Sequence, residues 1–272
     1  MNRTTWLSYF RSNQTEPGEI PWHRAQEPPP VLAHFLIPSL QQFQLGEGAS
    51  GITFLEKGRA FAQRTGDLDF VEALALFIAE EQRHSGMLAR YLRSVGAPVL
   101  RRHWVDGIFR RLRKQAGLEC MVTVLVTAEM MAVPYYRSVL KISACPVLKA
   151  ICRRILREEG QHLLFQASTL GKLQRTRGPV AMRLTQMCQR FLLAGTCAVV
   201  WKEHGKVLRA AGMSPVEFFI ECRRLLRHVA GAARRGTANL PTLHPQAPWT
   251  TEVVSQEAIL RALEPVGRGP RT

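Results

Sequence analysis

Residues 77 to 86 read FIAEEQRHSG, with two adjacent glutamates shortly before a histidine. Around them, Leu74, Phe77, Glu81, His84 and Leu88 follow one another at steps of three or four positions, which places them on one face of a helix. The side chains of Glu81 and His84 therefore point toward the core, as those of the apolar residues do. Charged groups on a core face must be paired or must bind a metal, because burying one alone costs several kcal/mol.

The same spacing recurs in REEGQH, residues 157 to 162, where Glu159 and His162 continue the apolar stripe of Leu148, Ile151 and Ile155. A chain with eight histidines should contain about half of one Glu-x-x-His by chance. This chain has two, each in the middle of a predicted long helix. We therefore interpret the pair as a metal site rather than as two exposed ion pairs.

Helical spacing covers most of the chain, and no segment shows the alternation of a strand, so we predict an all-α fold. The predicted helices span residues 36–64, 68–95, 117–143, 146–173, 178–210 and 215–231. Residues 1–30, which end in QEPPP, are predicted to form an irregular arm. Residues 31–232 then form a helical bundle, and residues 233–272 form a basic, largely irregular tail.

Two other predicted helices each carry one carboxylate on an apolar face. Glu47 follows Leu40 and Phe43, and Glu129 follows Val122 and Leu125. With a rise of about 1.5 Å per residue, each antiparallel helix pair brings its two carboxylates to within about one turn of each other. Glycines at 46 and 48 flank the first of these carboxylates, either for close helix packing or for movement of the carboxylate.

One glutamate from each of two helices, with a Glu-x-x-His from each of two others, is the ligand set of di-iron and di-manganese carboxylate bundles. Four carboxylates neutralise two divalent ions, and two imidazoles complete the coordination without adding charge. Spacing selects Glu81 over Glu80, which lies about 100° around the helix and becomes an outer or surface partner. Glu159 is preferred to Glu158, although Glu158 also lies one turn from His162.

The segment AEEQRHSGMLARYLRSVG, residues 79–96, resembles the corresponding helix of soluble acyl-carrier-protein desaturases, which belong to the ferritin-like di-iron carboxylate superfamily. The doubled glutamate, the arginine before the histidine and the later Leu-x-x-Tyr-Leu carry the resemblance, and REEGQH follows the family pattern less closely. The resemblance covers about residues 36–172 and implies a ferritin-like four-helix bundle with additional C-terminal helices. The iron ligands that it implies are Glu47, Glu81, His84, Glu129, Glu159 and His162.

The resemblance further implies an O2-dependent di-iron oxidoreductase that oxidises C–H bonds, by desaturation or hydroxylation, in an apolar and carrier-bound acyl substrate. Two iron ions are the expected cofactors, with manganese as an alternative, and a ferredoxin-like protein is the expected electron donor. Ala132 stands where the desaturases have threonine. Tyr135 or Tyr136 could carry a radical, as in the small subunit of ribonucleotide reductase. The expected lining of the substrate pocket is Phe54, Phe77, Leu125, Met130 and Met131.

The chain has 37 basic and 21 acidic residues and a formal charge of +16. An acidic acyl carrier protein fits this charge, and RRHWVDGIFRRLRK, residues 101–114, would be its docking helix. Nucleic acid also fits the positive charge, so a di-iron tRNA hydroxylase is an alternative, although no RNA-binding motif is present. A ferritin-like iron oxidation or storage protein and a degenerate binding protein are further alternatives, and an arginine-rich composition alone could produce the charge.

Residues 116–136 are apolar over nearly the length of a membrane span, but they contain Glu119 and Glu129. We therefore expect the centre of a soluble bundle and no transmembrane segment. The six cysteines include no CxxC pair, so we expect them to be reduced. The N-terminal residues lack the apolar core of a signal peptide, so we expect a cytoplasmic protein, and a homodimer is a further expectation.

Overall fold

The computed structural model describes residues 5–15, 19–48, 51–104, 107 and 117–235. These residues are mainly helical and include no strand, which confirms the all-α fold class. A short 3-10 helix spans Trp22–Arg24. The α-helices are α1 Trp6–Thr15, α2 Pro30–Glu47, α3 Ile52–Thr65, α4 Asp69–Ser94, α5 Leu118–Ile142, α6 Pro146–Gln174, α7 Pro179–Ala210 and α8 Pro215–Arg235.

The bundle is built around α5 and α6, which pack along each other. Helix α4 packs against α2 and α6, and α7 and α8 both cover α5. Since α5 is surrounded in this way, its apolar residues are buried on almost every side. It is the one helix among the described residues that is long and apolar enough to cross a membrane, and 72% of its most apolar window is buried inside the bundle.

The later helices begin and end close to where the sequence predicts them. Pro146, Pro179 and Pro215 each stand at the start of a helix, where the N–H that proline lacks would have no intrahelical acceptor. Helix α7 runs without interruption through Gly205, although glycine weakens a helix interior. Where a local start signal sets the first residue of a helix, that residue can therefore be predicted from the sequence.

The single helix predicted for residues 36–64 is wrong, because the structure has two. Helix α2 ends at Glu47, and Gly48 caps it through its backbone N–H. Gly51 has a left-handed φ of 69°, and a Cβ at this position would lie 2.6 Å from the Ile78 side chain. The apolar spacing continues across the break, so periodicity alone could not reveal it.

The irregular arm predicted for residues 1–30 is also wrong, since helix α1 lies within it. Leu7 and Phe10 are buried, and the Phe10 ring packs edge-on against Phe165 with centroids 5.3 Å apart. A helix of this length is marginal in isolation, so its packing on α4 stabilises it. The predicted tail lies outside the described residues from residue 236 onward.

Gly51→Ala should lower the free energy of unfolding by roughly 2–4 kcal/mol, through left-handed backbone strain and overpacking against Ile78. Gly66→Ala is the matched control, because Gly66 has a φ of 74° but a methyl group added there would meet no atom within 4 Å. Its loss should be roughly 1 kcal/mol. Urea unfolding of both variants measures the difference, and equal losses would show that the contact with Ile78 relaxes at no cost.

Candidate metal centre

Four of the six predicted ligands form one compact group. Glu81 and His84 project from α4, Glu159 and His162 project from α6, and their ligand atoms all lie within 4.8 Å of one another. Glu81 Oε1 lies 2.8 Å from Nδ1 of His162 and 3.7 Å from Nδ1 of His84. Glu159 lies 3.7 Å from Nδ1 of His84 and 3.9 Å from Nδ1 of His162. Each carboxylate therefore faces both imidazoles, and the group could hold a metal ion.

The other two predicted residues lie beside this group. Glu47, the last residue of α2, lies close enough to Glu81 for the two carboxyls to share a proton. Its Oε1 also accepts a hydrogen bond of 2.8 Å from the Tyr136 hydroxyl. Glu129 of α5 interacts electrostatically with Glu81 and with Glu159. The structure thus brings all six side chains into one buried region.

Each histidine is held by a carboxylate from the opposite helix. His84 Nε2 donates to Glu158 Oε2 at 2.6 Å, and His162 Nε2 donates to Glu80 Oε2 at 2.9 Å. With a metal ion bound and the proton on Nε2, each neutral ring would offer its Nδ1 lone pair, and Nδ1 faces the inner carboxylates. Carboxylate–histidine pairs of this kind fix ring orientation and raise the basicity of metal ligands.

Glu80 and Glu158 form an outer layer with three residues that the sequence analysis missed. Asn13 of α1 donates to Glu80 at 2.6 Å and to Glu158 at 2.9 Å. Arg154 donates to Glu158 at 3.1 Å, and Arg83 lies 3.3 Å from Glu80 and 3.6 Å from Glu158. Two carboxylates and two guanidinium groups balance in charge. The doubled glutamate in both motifs was the available signal for this layer.

The inner carboxylates have no such balance. Burial raises the pKa values of Glu47, Glu129 and Glu159 well above the usual carboxyl range, and the negative charge of Glu81 raises each of them further. Burial acts on Glu81 in the same direction, but hydrogen bonding to His162 and the charges of the two imidazoles outweigh it and lower its pKa. Raised pKa values of this kind mark carboxyls that lack sufficient positive charge nearby, which metal ions would supply.

Several buried atoms of this group have no hydrogen-bond partner among the described residues. They are both carboxylate oxygens of Glu129 and of Glu159, and Nδ1 of His84. Buried polar atoms are normally satisfied, so this concentration of unsatisfied atoms calls for a ligand. Two divalent cations would satisfy them and neutralise four carboxylates, and mixed carboxylate and imidazole donors suit iron, manganese or zinc.

A cavity of about 140 Å³ opens directly onto the inner carboxylates. Of the predicted lining residues, Leu125 and Met131 border it, whereas Phe54, Phe77 and Met130 do not and belong to the packed core. The lining that the sequence analysis missed includes Phe43, Gly46, Val124, Ala128, Ala132, Thr196, Val200 and His204. A methyl group at Gly46 would meet no atom within 4 Å, whereas one at Gly48 would touch Ser85 Oγ at 3.0 Å. Close packing thus accounts for Gly48, and Gly46 borders open space.

Comparison of the chain with protein-family models, with curated proteins and with solved structures finds no match in any of the three. The likeness to di-iron carboxylate proteins therefore rests on the residues of the two motifs and on the buried group that they form.

The metal-free chain should lose stability as the pH rises above about 4.5. Glu47, Glu129 and Glu159 have pKa values raised above the ordinary 4.5, so the folded chain holds protons that the unfolded chain has released. His162, whose pKa is raised by hydrogen bonds to Glu80 and Glu81 despite burial, acts in the same direction above 6.5. Thermal unfolding of the metal-free and metal-loaded chain from pH 5 to pH 9 measures this effect.

Metal loading should flatten this dependence, because bound cations replace the protons. His204, with a pKa lowered by burial to about 3, acts in the opposite sense below pH 6.5 but contributes equally to both forms. The difference between the two pH profiles therefore isolates the inner group. Parallel profiles for the metal-free and loaded chain would contradict the assignment of these side chains to a metal site.

Glu158→Gln should weaken metal binding roughly 10-fold to 100-fold, because a neutral amide supports the His84 ring less well than a carboxylate does. The change also leaves Arg83 and Arg154 with an excess of positive charge. Glu72→Gln is the matched control, since Glu72 makes an exposed ion pair with Arg11. Competition with a chromophoric chelator measures both affinities, and equal affinities would contradict the role of Glu158.

Proposed function

We propose that the chain is an O2-dependent non-haem di-iron oxidoreductase with a ferritin-like bundle. The proposed ligands of the two iron ions are Glu47, Glu81, His84, Glu129, Glu159 and His162. One observation carries the proposal: four buried carboxylates lie together while the nearby arginines, Arg83 and Arg154, are already engaged by the outer glutamates. Arginine side chains therefore do not compensate the inner carboxylates, which leaves this role to metal ions.

Two divalent ions match the charge of the inner group, and its donor atoms are the kind that iron and manganese take. Manganese in place of one iron stays an alternative. When bound, a reduced iron pair supplies the electrons that activate O2 for oxidation of an unactivated C–H bond. The chain itself contributes the ligand geometry and the substrate cavity.

Three features of the chain support such a role. Glu158 and Glu80 hold the two imidazoles with Nδ1 facing inward. The Tyr136 hydroxyl holds Glu47 at the end of α2, where the chain turns away toward α3. The cavity beside the carboxylates is mainly apolar, so it favours an apolar substrate.

The reaction class is C–H oxidation, by hydroxylation or desaturation, since the oxidant is common to both. Ala132 borders the cavity and leaves space where the desaturases carry a hydroxyl. A ferredoxin-like electron donor and an acidic acyl carrier protein are proposed partners, supported by the +16 charge. The predicted docking helix, residues 101–114, lies mostly outside the described residues.

The cavity favours substrate oxidation over iron storage, because storage does not require an apolar space next to the carboxylates. A tRNA hydroxylase would use the same inner group with the positive charge as its phosphate contact. RNA binding that falls by orders of magnitude at moderate salt would favour the tRNA alternative. A multimeric shell holding many irons per chain would favour storage.

Anaerobic loading with Fe(II) should give two irons per chain in the wild type. The double variant Glu81→Ala with His162→Ala should hold none, because it loses a carboxylate and an imidazole from the compact group. Metal analysis after gel filtration measures both. The control is Glu72→Ala with His23→Ala, which removes the same residue types from exposed positions and should keep two irons.

Reduced, iron-loaded protein should consume O2 faster than the double variant, and a bound substrate should accelerate the consumption. An O2 electrode measures the rates. Two bound irons without any O2 consumption would leave the metal site in place and contradict the oxidoreductase. Absence of bound iron in the wild type would contradict the whole assignment.

A further inference from the structure

One end of the cavity carries polar groups that the metal site does not use. Helices α2 and α7 meet there, joined by a 2.8 Å hydrogen bond between Ser39 and His204 and by one of 3.5 Å between Gln42 and Glu203. Gln42 and His204 both border the cavity, and the inner carboxylates border it as well. A molecule in the cavity therefore meets the metal site and this polar end at once.

A hydrogen-bond relay fixes the direction in which His204 can interact. Ser39 Oγ lies 2.8 Å from the Tyr135 hydroxyl and 2.8 Å from His204 Nδ1. Tyr135 is fully buried, and burial raises its pKa, so its hydroxyl stays protonated and must donate. Ser39 is its one acceptor among the described residues. Ser39 thus accepts from Tyr135 and donates its own proton to His204 Nδ1.

This relay leaves His204 with a single free donor. Burial and the nearby charge of His103 lower the pKa of His204 to about 3, so the imidazole is neutral near pH 7. A neutral imidazole carries one N–H, and Nδ1 is already an acceptor, so the proton is on Nε2. The rings of Phe43 and Tyr135 pack against the imidazole at centroid distances of 4.8 and 5.4 Å. Within the described residues, no group accepts the Nε2 proton.

Gln42 supplies the complementary acceptor. Its Nε2 donates to the Glu203 carboxylate, which fixes the orientation of the amide because a carboxylate can only accept. The remaining atom, Oε1, is buried and has no partner in the described part of the chain. The polar end thus offers a donor on His204 and an acceptor on Gln42 to a molecule in the cavity, and His103, 3.9 Å from Glu203, borders the cavity as well.

The volume of the cavity matches that of a small ring. An apolar cavity of about 150 Å³ holds one benzene ring, and this cavity measures about 140 Å³. An extended acyl chain of ordinary length would have to continue out of the cavity, which is partly open, so a ring and a carrier-bound acyl chain are competing occupants. The side chains of Val124, Leu125 and Val200 and the ring of Phe43 offer an apolar surface to a ring of this size.

We infer that the cavity binds a small cyclic compound with one hydroxyl group, a molecule of about the size of phenol. The hydroxyl accepts a hydrogen bond from His204 Nε2 and donates one to Gln42 Oε1, while the ring occupies the apolar space beside the carboxylates. That this ligand is a substrate rests on the proposed function, whereas its binding requires no redox chemistry.

Ligand-detected NMR titration of the full chain tests the inference with phenol, with toluene, which replaces the hydroxyl by a methyl group, and with decanoate. The titrations are run on the metal-free chain and on the chain with two equivalents of Zn(II). Phenol should bind with saturation in a one-to-one ratio. Because zinc performs no O2 chemistry, these results are separate from the iron and O2 measurements, and either set can fail alone.

Val200→Phe should abolish the binding of phenol and toluene by filling the cavity. Val199→Phe is the matched control, since Val199 precedes Val200 on α7 but does not border the cavity, and binding should persist. His204→Phe should weaken the binding of phenol roughly fivefold to tenfold and leave the binding of toluene unchanged, because only phenol loses a hydrogen bond. Circular dichroism confirms folding of each variant, and Gln42→Met provides the same comparison if His204→Phe does not fold.

Three outcomes would overturn the inference. If His204→Phe and Gln42→Met each weaken the binding of phenol and of toluene equally, the cavity does not recognise a hydroxyl group. Decanoate binding more tightly than phenol, and displaced by Val200→Phe, would show that the cavity takes a chain and not a ring. Phenol binding that persists in Val200→Phe would place the ligand elsewhere on the protein.

Discussion

Four carboxylates are buried together at the centre of the helical bundle. Burying them costs free energy, and the packing of the surrounding helices depends on how this cost is compensated. An unpaired buried charge is penalised by several kcal/mol, and a core of apolar residues would avoid the penalty. Helices α2, α4, α5 and α6 each contribute one of these carboxylates, so the height and rotation of all four helices are constrained at the same point. Cations that occupy the site would turn a local penalty into a contribution to stability.

The outer layer explains why the inner carboxylates stay uncompensated. Arg83 and Arg154 could have neutralised the inner group, but Glu80 and Glu158 engage both of them. The same two glutamates hold the imidazoles from the opposite helix, and Asn13 links them to α1. One neutral layer therefore orients the histidines, joins three helices and leaves the inner group able to hold metal ions.

The space beside the carboxylates depends on small side chains. Gly46 on α2 and Ala128 and Ala132 on α5 leave a gap that larger residues would fill. Helix α7 closes this gap with Val200 and His204, so a helix outside the four that carry the carboxylates determines what the cavity accepts. The candidate metal site and the cavity therefore share α2 and α5, and α7 adds a wall that carries no candidate ligand.

The sequence by itself determined the helical class, most helix bounds and the faces that carry the glutamates and histidines. These features depend on spacing within one helix and on local start and stop signals, which a single chain segment contains in full. Spacing also separated Glu81 from Glu80 and Glu159 from Glu158, because neighbouring residues point about 100° apart on a helix.

Only the tertiary structure decided the break between α2 and α3, the existence of α1, the crossed pairs of histidine and glutamate, and the lining of the cavity. Gly51 precedes α3 with a left-handed φ. Ile78, distant in sequence, occupies the space that a side chain at this position would need. Phe54 and Phe77 share faces with the predicted ligands but turn into the packed core, while His204 reaches the cavity from a helix that carries no ligand. Periodicity shows which residues share a helix face, but the packing of one helix on another determines what that face meets.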